Sequence, residues 1–141
     1  MTLKKSILPA VLAVIVVMQL IPLGRDNPPV IADFDGPPEV RAVLARSCFD
    51  CHSHETKWPW YSYVAPVSYL VVHDVKEGRE HLNFSDWKGG PKVAGEILDE
   101  VATGEMPLGI YLSLHPEARL TGADLNVLQG YFGKDDRQQG D

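Results

Sequence analysis

Two cysteines and a histidine stand within five consecutive positions, in the segment Cys48-Phe49-Asp50-Cys51-His52. The spacing C-x-x-C-H is typical of covalent haem attachment, in which both thiols become thioethers to the haem vinyl groups and the histidine binds the iron. Because such a haem is a large apolar group that the chain must fold around, it constrains the fold of a small domain strongly. We therefore predict one covalently held haem c, attached through Cys48 and Cys51, with His52 as the proximal iron ligand.

The same residues have other interpretations. A C-x-x-C pair also occurs in thioredoxin-like redox centres, but no βαβ pattern surrounds this one. A structural zinc site needs four nitrogen or sulfur ligands, and the chain has only 2 cysteines, so a second pair is missing. A disulfide between the two thiols stays open as an alternative. We favour haem over all three.

The N-terminus has the pattern of a targeting segment. Lys4 and Lys5 precede an apolar run from Ile7 to Leu23, and a core helix is rarely apolar on every face. No small-x-small cleavage site follows the run, so we favour an uncleaved transmembrane signal anchor, residues 1–24, over a removed signal peptide. The lysines keep the N-terminus inside. This predicts a single-pass protein of the cytoplasmic membrane with its haem domain in the periplasm, or a soluble periplasmic protein if the segment is cleaved.

The remainder of the chain divides by composition. Residues 25–38 are rich in proline and predict an extended linker, residues 39–134 form the predicted haem domain, and residues 135–141 a polar tail. Lys4 and Lys5 are two of the 13 basic residues, which leaves 11 against 19 acidic residues, a net charge of −8. This balance excludes nucleic acid as a partner. It favours a basic partner, or a neutral face around the haem edge.

Periodic apolar residues predict four helices in the haem domain. A proline at the first position and a glycine at the end mark the second and third, and a capping box of Thr121 with Asp124 marks the start of the fourth. No alternating run is long enough for a sheet, so the predicted fold class is all-α, with cytochrome c-like helices around the haem. The predicted helices cover residues 39–47, 66–78, 91–104 and 121–133.

A six-coordinate haem iron needs a second axial ligand, and Met106 is the best candidate. It lies directly beyond the predicted helix end at Gly104 and before Pro107, in a turn that is stiff enough to hold a thioether over the distal face. Methionine paired with histidine raises the reduction potential and suits electron transfer. Met106 is alternatively a core residue that fills a gap. The competing ligands are His54, His73, His81 and His115.

Four motifs together resemble a known family: SCFDCHSHETKWPWYS (residues 47–62), APVS (65–68), GREHLNFSDW (78–87) and Met106-Pro107. They are similar to the bacterial haem-binding domain family of small exported c-type cytochromes. The resemblance extends from the N-terminal segment to about Phe132. It implies haem attachment at Cys48 and Cys51 and iron ligation by His52, and it leaves the redox role open.

An aromatic stretch separates the two predicted iron ligands. We interpret it either as a wall of the haem pocket, with Trp60 among the cofactor-binding residues, or as ordinary core packing. Arg79 is a candidate to bind a haem propionate, and Asn83 is a candidate hydrogen-bond donor in the pocket. The stretch comprises Trp58, Trp60, Tyr61, Tyr63, Tyr69, Phe84 and Trp87.

Two functions follow from these residues. The first is a membrane-tethered monohaem cytochrome that carries single electrons between redox proteins of the periplasm or membrane and is not an enzyme. The second is a haem enzyme or a gas or redox sensor, peroxidase-like or ligand-binding, whose sixth iron position is open or weakly ligated. The state of Met106 discriminates between them. Because the sequence shows no distal acid–base pair, we favour electron transfer.

Overall fold

The computed structural model describes residues 2–136, with side chains for residues 7–134. Within this part the chain forms helices and irregular segments without any β-strand, and one isolated parallel bridge joins Ala32 to Asp86. The predicted all-α class is therefore confirmed. The α-helices are α1 (Thr2–Leu20), α2 (Pro38–Ser47), α3 (Phe49–His52), α4 (Val67–His81), α5 (Pro91–Thr103), α6 (Gly109–Leu114) and α7 (Gly122–Asp136), with 3₁₀ turns at Trp60–Tyr63 and Pro116–Ala118.

Local signals place several helix ends correctly. Pro91 begins α5 as predicted, and α5 ends where Gly104 adopts a left-handed conformation with φ of 76°, whereas Pro66 lies one position before α4. The capping box also forms, since the Thr121 hydroxyl and backbone N–H both donate to the Asp124 carboxylate, at 2.7 and 2.8 Å.

Two predicted helix ends are wrong. Helix α4 continues past Gly78 to His81, and α7 continues past Gly133 to Asp136. Both glycines lie inside helices. Gly78 is buried, so its small size, and not a helix end, accounts for a glycine at this position. A glycine in a helix costs about 1 kcal/mol relative to alanine, which packing offsets where two backbones approach closely.

One apolar core lies between α2, α5, α7 and the segments that carry Phe34 and Phe84. Phe34 meets Phe84 and Trp87 edge-on, with ring centroids 5.7 and 5.1 Å apart. Leu128 and Phe132 of α7 are almost completely buried against this aromatic group. Phe49 of α3 also belongs to this core, while none of the described residues of α4 or α6 does.

Residues 25–36, inside the predicted linker, form a strap that follows the surface of the domain. The Ile31 N–H donates to Ser85 O at 2.8 Å, and the Phe34 N–H donates to Phe84 O at 3.0 Å. Phe34 is only 3 % exposed, so the strap contributes a core residue. These contacts make the strap part of the packed structure.

The N-terminal helix α1 covers most of the predicted anchor. No helix in the described part of the chain is both long and apolar enough to cross a membrane, so the structure does not support the predicted transmembrane span. The side chains of Lys4 and Lys5 lie outside the described ones. Of the predicted polar tail, residues 135–141, the structure describes only the helical backbone of residues 135 and 136.

Candidate functional site

The C-x-x-C-H motif forms the short helix α3 immediately after α2. The two helices are separated by a bend at Cys48, whose φ is −127°. The His52 N–H donates to Cys48 O at 2.9 Å, which closes the turn. Phe49, on the opposite side, is buried and stacks on Phe84 with centroids 5.3 Å apart. The aromatic contact orients the helix, and it leaves Cys48, Cys51 and His52 half-buried at its other face.

Two cavities lie beside this face, with volumes of about 310 and 270 Å³. Both are lined by Cys48, His52 and Met106, although Met106 is more than fifty positions further along the chain than Cys48. α5 lines the first cavity with Val93, Ile97 and Val101, while α4 and α6 line the second with Asp74, Gly78 and Tyr111. Because they share these residues, the two cavities form one slot between α3 and the Met106 turn.

The His52 imidazole is held in one orientation. Its Nδ1 lies 2.8 Å from Gly78 O and 3.0 Å from Leu82 O, so Nδ1 carries the proton and donates. Burial lowers the pKa of His52, which favours the neutral ring. A neutral imidazole with Nδ1–H donating keeps its lone pair on Nε2, and this is the form in which histidine binds a metal.

Gly78 allows α4 to approach the motif closely enough for this hydrogen bond. A Cβ at position 78 would lie 2.5 Å from Cys51 O and 3.2 Å from Cys51 Cβ. Only glycine fits between the two backbones without a shift. The carbonyl of Gly78 is thereby brought within reach of the His52 ring. The sequence signal for this role is a glycine within an otherwise regular helical pattern.

The two thiols are free, and both cysteines are half-buried. The pKa of Cys48 is raised to about 12 and that of Cys51 to about 11, mainly because burial desolvates both thiols. A thioredoxin-like centre requires a thiol whose pKa is lowered, so the structure disfavours that alternative. Within the described residues, no group of three or more His, Cys, Asp or Glu side chains is arranged to hold a metal ion.

Charged groups around the slot are acidic. Glu96 and Glu100 of α5 line one cavity, Asp74 and Glu77 of α4 line the other, and no lysine or arginine of the described chain lines either. The Ser47 hydroxyl lines both cavities and is buried without a hydrogen-bond partner among the described residues. Leaving a buried hydroxyl without a hydrogen bond costs about 1–3 kcal/mol of stability. A bound group that fills the slot could remove this cost by pairing with the Ser47 hydroxyl.

Three of the predicted cofactor-binding residues do not line the slot. Arg79 instead joins the strap to the segment just after the motif, because its guanidinium donates to Asp26 O, Asn27 Oδ1, Ser53 O and Thr56 Oγ1 at 2.8–3.1 Å. Asn83 is bonded to His54 in the loop after α4, with 2.9 Å between Nδ2 and Nε2. Trp60 is 77 % exposed and meets the ring of Tyr61 edge-on.

Among the competing histidines, only His81 lines both cavities. His73 is exposed and lies 3.6 Å from Glu77. His54 is bonded to Pro29 O and Asn83, while His115 lies 2.6 Å from the Tyr61 hydroxyl. The sequence patterns did not indicate a role for Ser47 or Tyr111 at the slot. Tyr111 donates to Asp50 inside the motif at 2.8 Å, a contact between residues 61 positions apart.

Comparison with known families gives one match. Residues 13–134 match the model of a family described as a haem-binding domain. Comparison with curated proteins and with solved structures gives no match. The matched range contains the whole slot, including both thiols, His52 and Met106.

Proposed function

Because the chain belongs to the haem-binding domain family, we propose that it is a monohaem c-type cytochrome that carries single electrons. Cys48 and Cys51 would hold the haem through thioethers, with His52 as the proximal ligand and Met106 as the distal ligand. The observation that carries the proposal is the slot itself, where an oriented neutral imidazole and a thioether line both cavities together with Cys48, and Cys51 lines the second.

The residues of the slot fit such a cofactor. The two cavities together offer an apolar space between α3 and the Met106 turn, and Ser47 adds an unpaired hydroxyl to its wall. Each thiol would add across a vinyl double bond, with the sulfur and the proton bonding to its two carbons, so no oxidant is needed. The bound haem iron supplies one-electron redox chemistry.

The chain would then control the iron through its ligands. Gly78 O and Leu82 O accept from His52 and so fix the ring that binds the metal. Methionine on the other side would favour ferrous iron and raise the reduction potential. The apolar residues of α5 would exclude water from one side of the slot, which stabilises the less charged oxidation state further.

We also propose where the protein works and with what. Lys4, Lys5 and the apolar part of α1 have the pattern of an export signal, and attachment of haem to C-x-x-C-H in bacteria takes place outside the cytoplasmic membrane. This supports a location on the periplasmic side of that membrane. Acidic residues around the slot support redox partners that carry a basic face, because complementary charge speeds association.

The test is the absorption spectrum of the purified protein and of two variants. We expect a ferric band at ~695 nm, which the general spectroscopy of His/Met haems predicts, and its loss in Met106→Ala together with new binding of CO. Met106→His should keep six ligands and lower the reduction potential. His81→Ala is the matched control and should leave the band unchanged. A wild-type protein that lacks the band and binds CO would instead support a haem enzyme or sensor.

Covalent attachment is tested separately. Haem should stay with the chain through denaturing electrophoresis, and Cys48→Ala combined with Cys51→Ala should abolish this. Haem lost from the wild-type chain would contradict a c-type cytochrome and leave only a haem-binding protein.

A further inference from the structure

A cluster of exposed apolar side chains covers one face of the domain, away from the aromatic core. Among the described side chains outside α1, eleven large apolar residues are exposed, and seven of them belong to this face. Monomeric proteins rarely expose such a group without a partner. We call it the apolar face; its residues are Trp60, Tyr63, Val64, Val67, Leu70, Ile110 and Leu114.

The residues of the apolar face are neighbours in space. Val67, Leu70, Ile110 and Leu114 line a common cavity of about 240 Å³ between α4 and α6, which neither His52 nor Met106 lines. Tyr61 lines the same cavity. Trp60 lies against Tyr61 with ring centroids 5.9 Å apart, which connects the 3₁₀ turn to the cavity rim. This cavity borders the slot, because the two share the lining residues Asp50, Cys51, Asp74, Leu108 and Tyr111.

The end of α1 is fixed beside this face. Gln19 Nε2 donates to Tyr63 O at 3.0 Å, and Gln19 Oε1 accepts from the Ala65 N–H at 2.9 Å. The Tyr69 hydroxyl donates to Met18 O at 2.8 Å. These bonds join the apolar helix to the 3₁₀ turn and to the start of α4. The exposed apolar surface of α1 and the apolar face therefore meet along one side of the molecule.

The composition of the face is that of a protein surface at a lipid interface. Trp60 and Tyr63 combine an apolar ring with a polar atom, which is the type of side chain enriched at membrane–water boundaries. Arg25 lies over the Tyr63 ring at 4.5 Å, and Lys57 lines the cavity, so cations stand beside the apolar residues. Acids are present as well: Asp50 and Asp74 line the cavity, where Asp50 accepts from the Tyr111 hydroxyl, and Glu117 is bonded to His115.

From this continuity we propose that the apolar face rests on a lipid bilayer, beside α1. The face would place the 3₁₀ turn, the start of α4 and α6 against the lipid, and turn α5 with its acidic residues towards the aqueous side. The inference rests on the proposed location at the membrane. It is independent of the proposed electron transfer.

The test uses full-length holoprotein in vesicles of phosphatidylethanolamine and phosphatidylglycerol. An environment-sensitive fluorophore is attached to Ile110→Cys on the face or, as the matched control, to Lys88→Cys, whose side chain is 82 % exposed. In the holoprotein the proposed thioethers leave no other thiol to label. We expect iodide in the water to quench the label at position 110 roughly fivefold less than that at position 88, because interfacial side chains lie ~5–10 Å below the headgroups.

Flotation of the same samples separates the two proposals. If the holoprotein floats with the vesicles and both labels are quenched equally, the apolar face does not rest on lipid, although the proposed location stands. Equal quenching is also the result expected if the face binds another protein. If the holoprotein does not float at all, both the location and the lipid-facing surface are wrong, while its absorption spectrum still decides the proposed electron transfer.

Discussion

Replacement of Gly78 by alanine tests whether close approach of α4 to the motif holds His52 in place. The new Cβ would lie 2.5 Å from Cys51 O, whereas ordinary contacts begin at 3.4 Å, so the two helices must separate by about 0.9 Å. The obstructing atom belongs to the backbone and cannot rotate away. The shift would also lengthen the bonds of His52 to Gly78 O and Leu82 O, which are 2.8 and 3.0 Å long.

The expected change is the sum of opposing effects. Overpacking costs about 1–3 kcal/mol, and weakening of a buried hydrogen bond costs about 1 kcal/mol more. Alanine in place of glycine favours a helix by about 1 kcal/mol. We therefore expect Gly78→Ala to lower the free energy of unfolding of the holoprotein by about 1–3 kcal/mol. The imidazole loses its fixed orientation at the same time, so the reduction potential should shift as well.

Gly130 provides the matched control. It also lies inside a helix, α7, but nothing lies within 4 Å of the Cβ that alanine would add. Gly130→Ala should raise the free energy of unfolding by about 0.5–1 kcal/mol and leave the potential unchanged. Denaturant unfolding followed by circular dichroism measures both variants. If Gly78→Ala is as stable as Gly130→Ala, the close contact does not constrain the site and the reasoning is refuted.

Three further substitutions test other parts of the fold. The hydrogen bond with Arg46 is the main reason that the pKa of Asp124 falls to about 2. The ionised carboxylate therefore stabilises the fold fully above pH ~4, and this stability is lost as the pH falls from ~4 to ~2. In Asp124→Asn, the free energy of unfolding should no longer fall over this pH range. An unchanged acid profile would contradict this. Phe34→Ala should lower the free energy of denaturant unfolding by about 3–4 kcal/mol, because it removes a buried ring that the strap contributes to the core. A decrease below about 1 kcal/mol would show that the strap is only a tether. Arg79→Gln should lower the free energy of unfolding by about 2 kcal/mol and leave the reduction potential unchanged. A shifted potential would contradict this and support the predicted contact of Arg79 with a haem propionate.

Signals that act over a few residues were sufficient to predict much of the molecule. The spacing of Cys48, Cys51 and His52 predicts a haem-binding protein, and the chain belongs to a haem-binding family. Proline and glycine set helix ends through their backbone preferences, and Thr121 caps a helix through a residue three positions away. Such effects depend on the chain immediately around them, so a sequence pattern predicts them.

The tertiary structure decided what distant segments do to one another. Gly78 predicts a helix end when only its neighbours are considered, but it lies inside α4 because Cys51 needs the space that a side chain would fill. Arg79 binds the strap through residues more than fifty positions away, and Trp60 lies on the surface although an aromatic stretch suggested a pocket wall. The physical reason is that burial and hydrogen-bond partners depend on which distant segments pack together, and a local sequence pattern does not specify that packing.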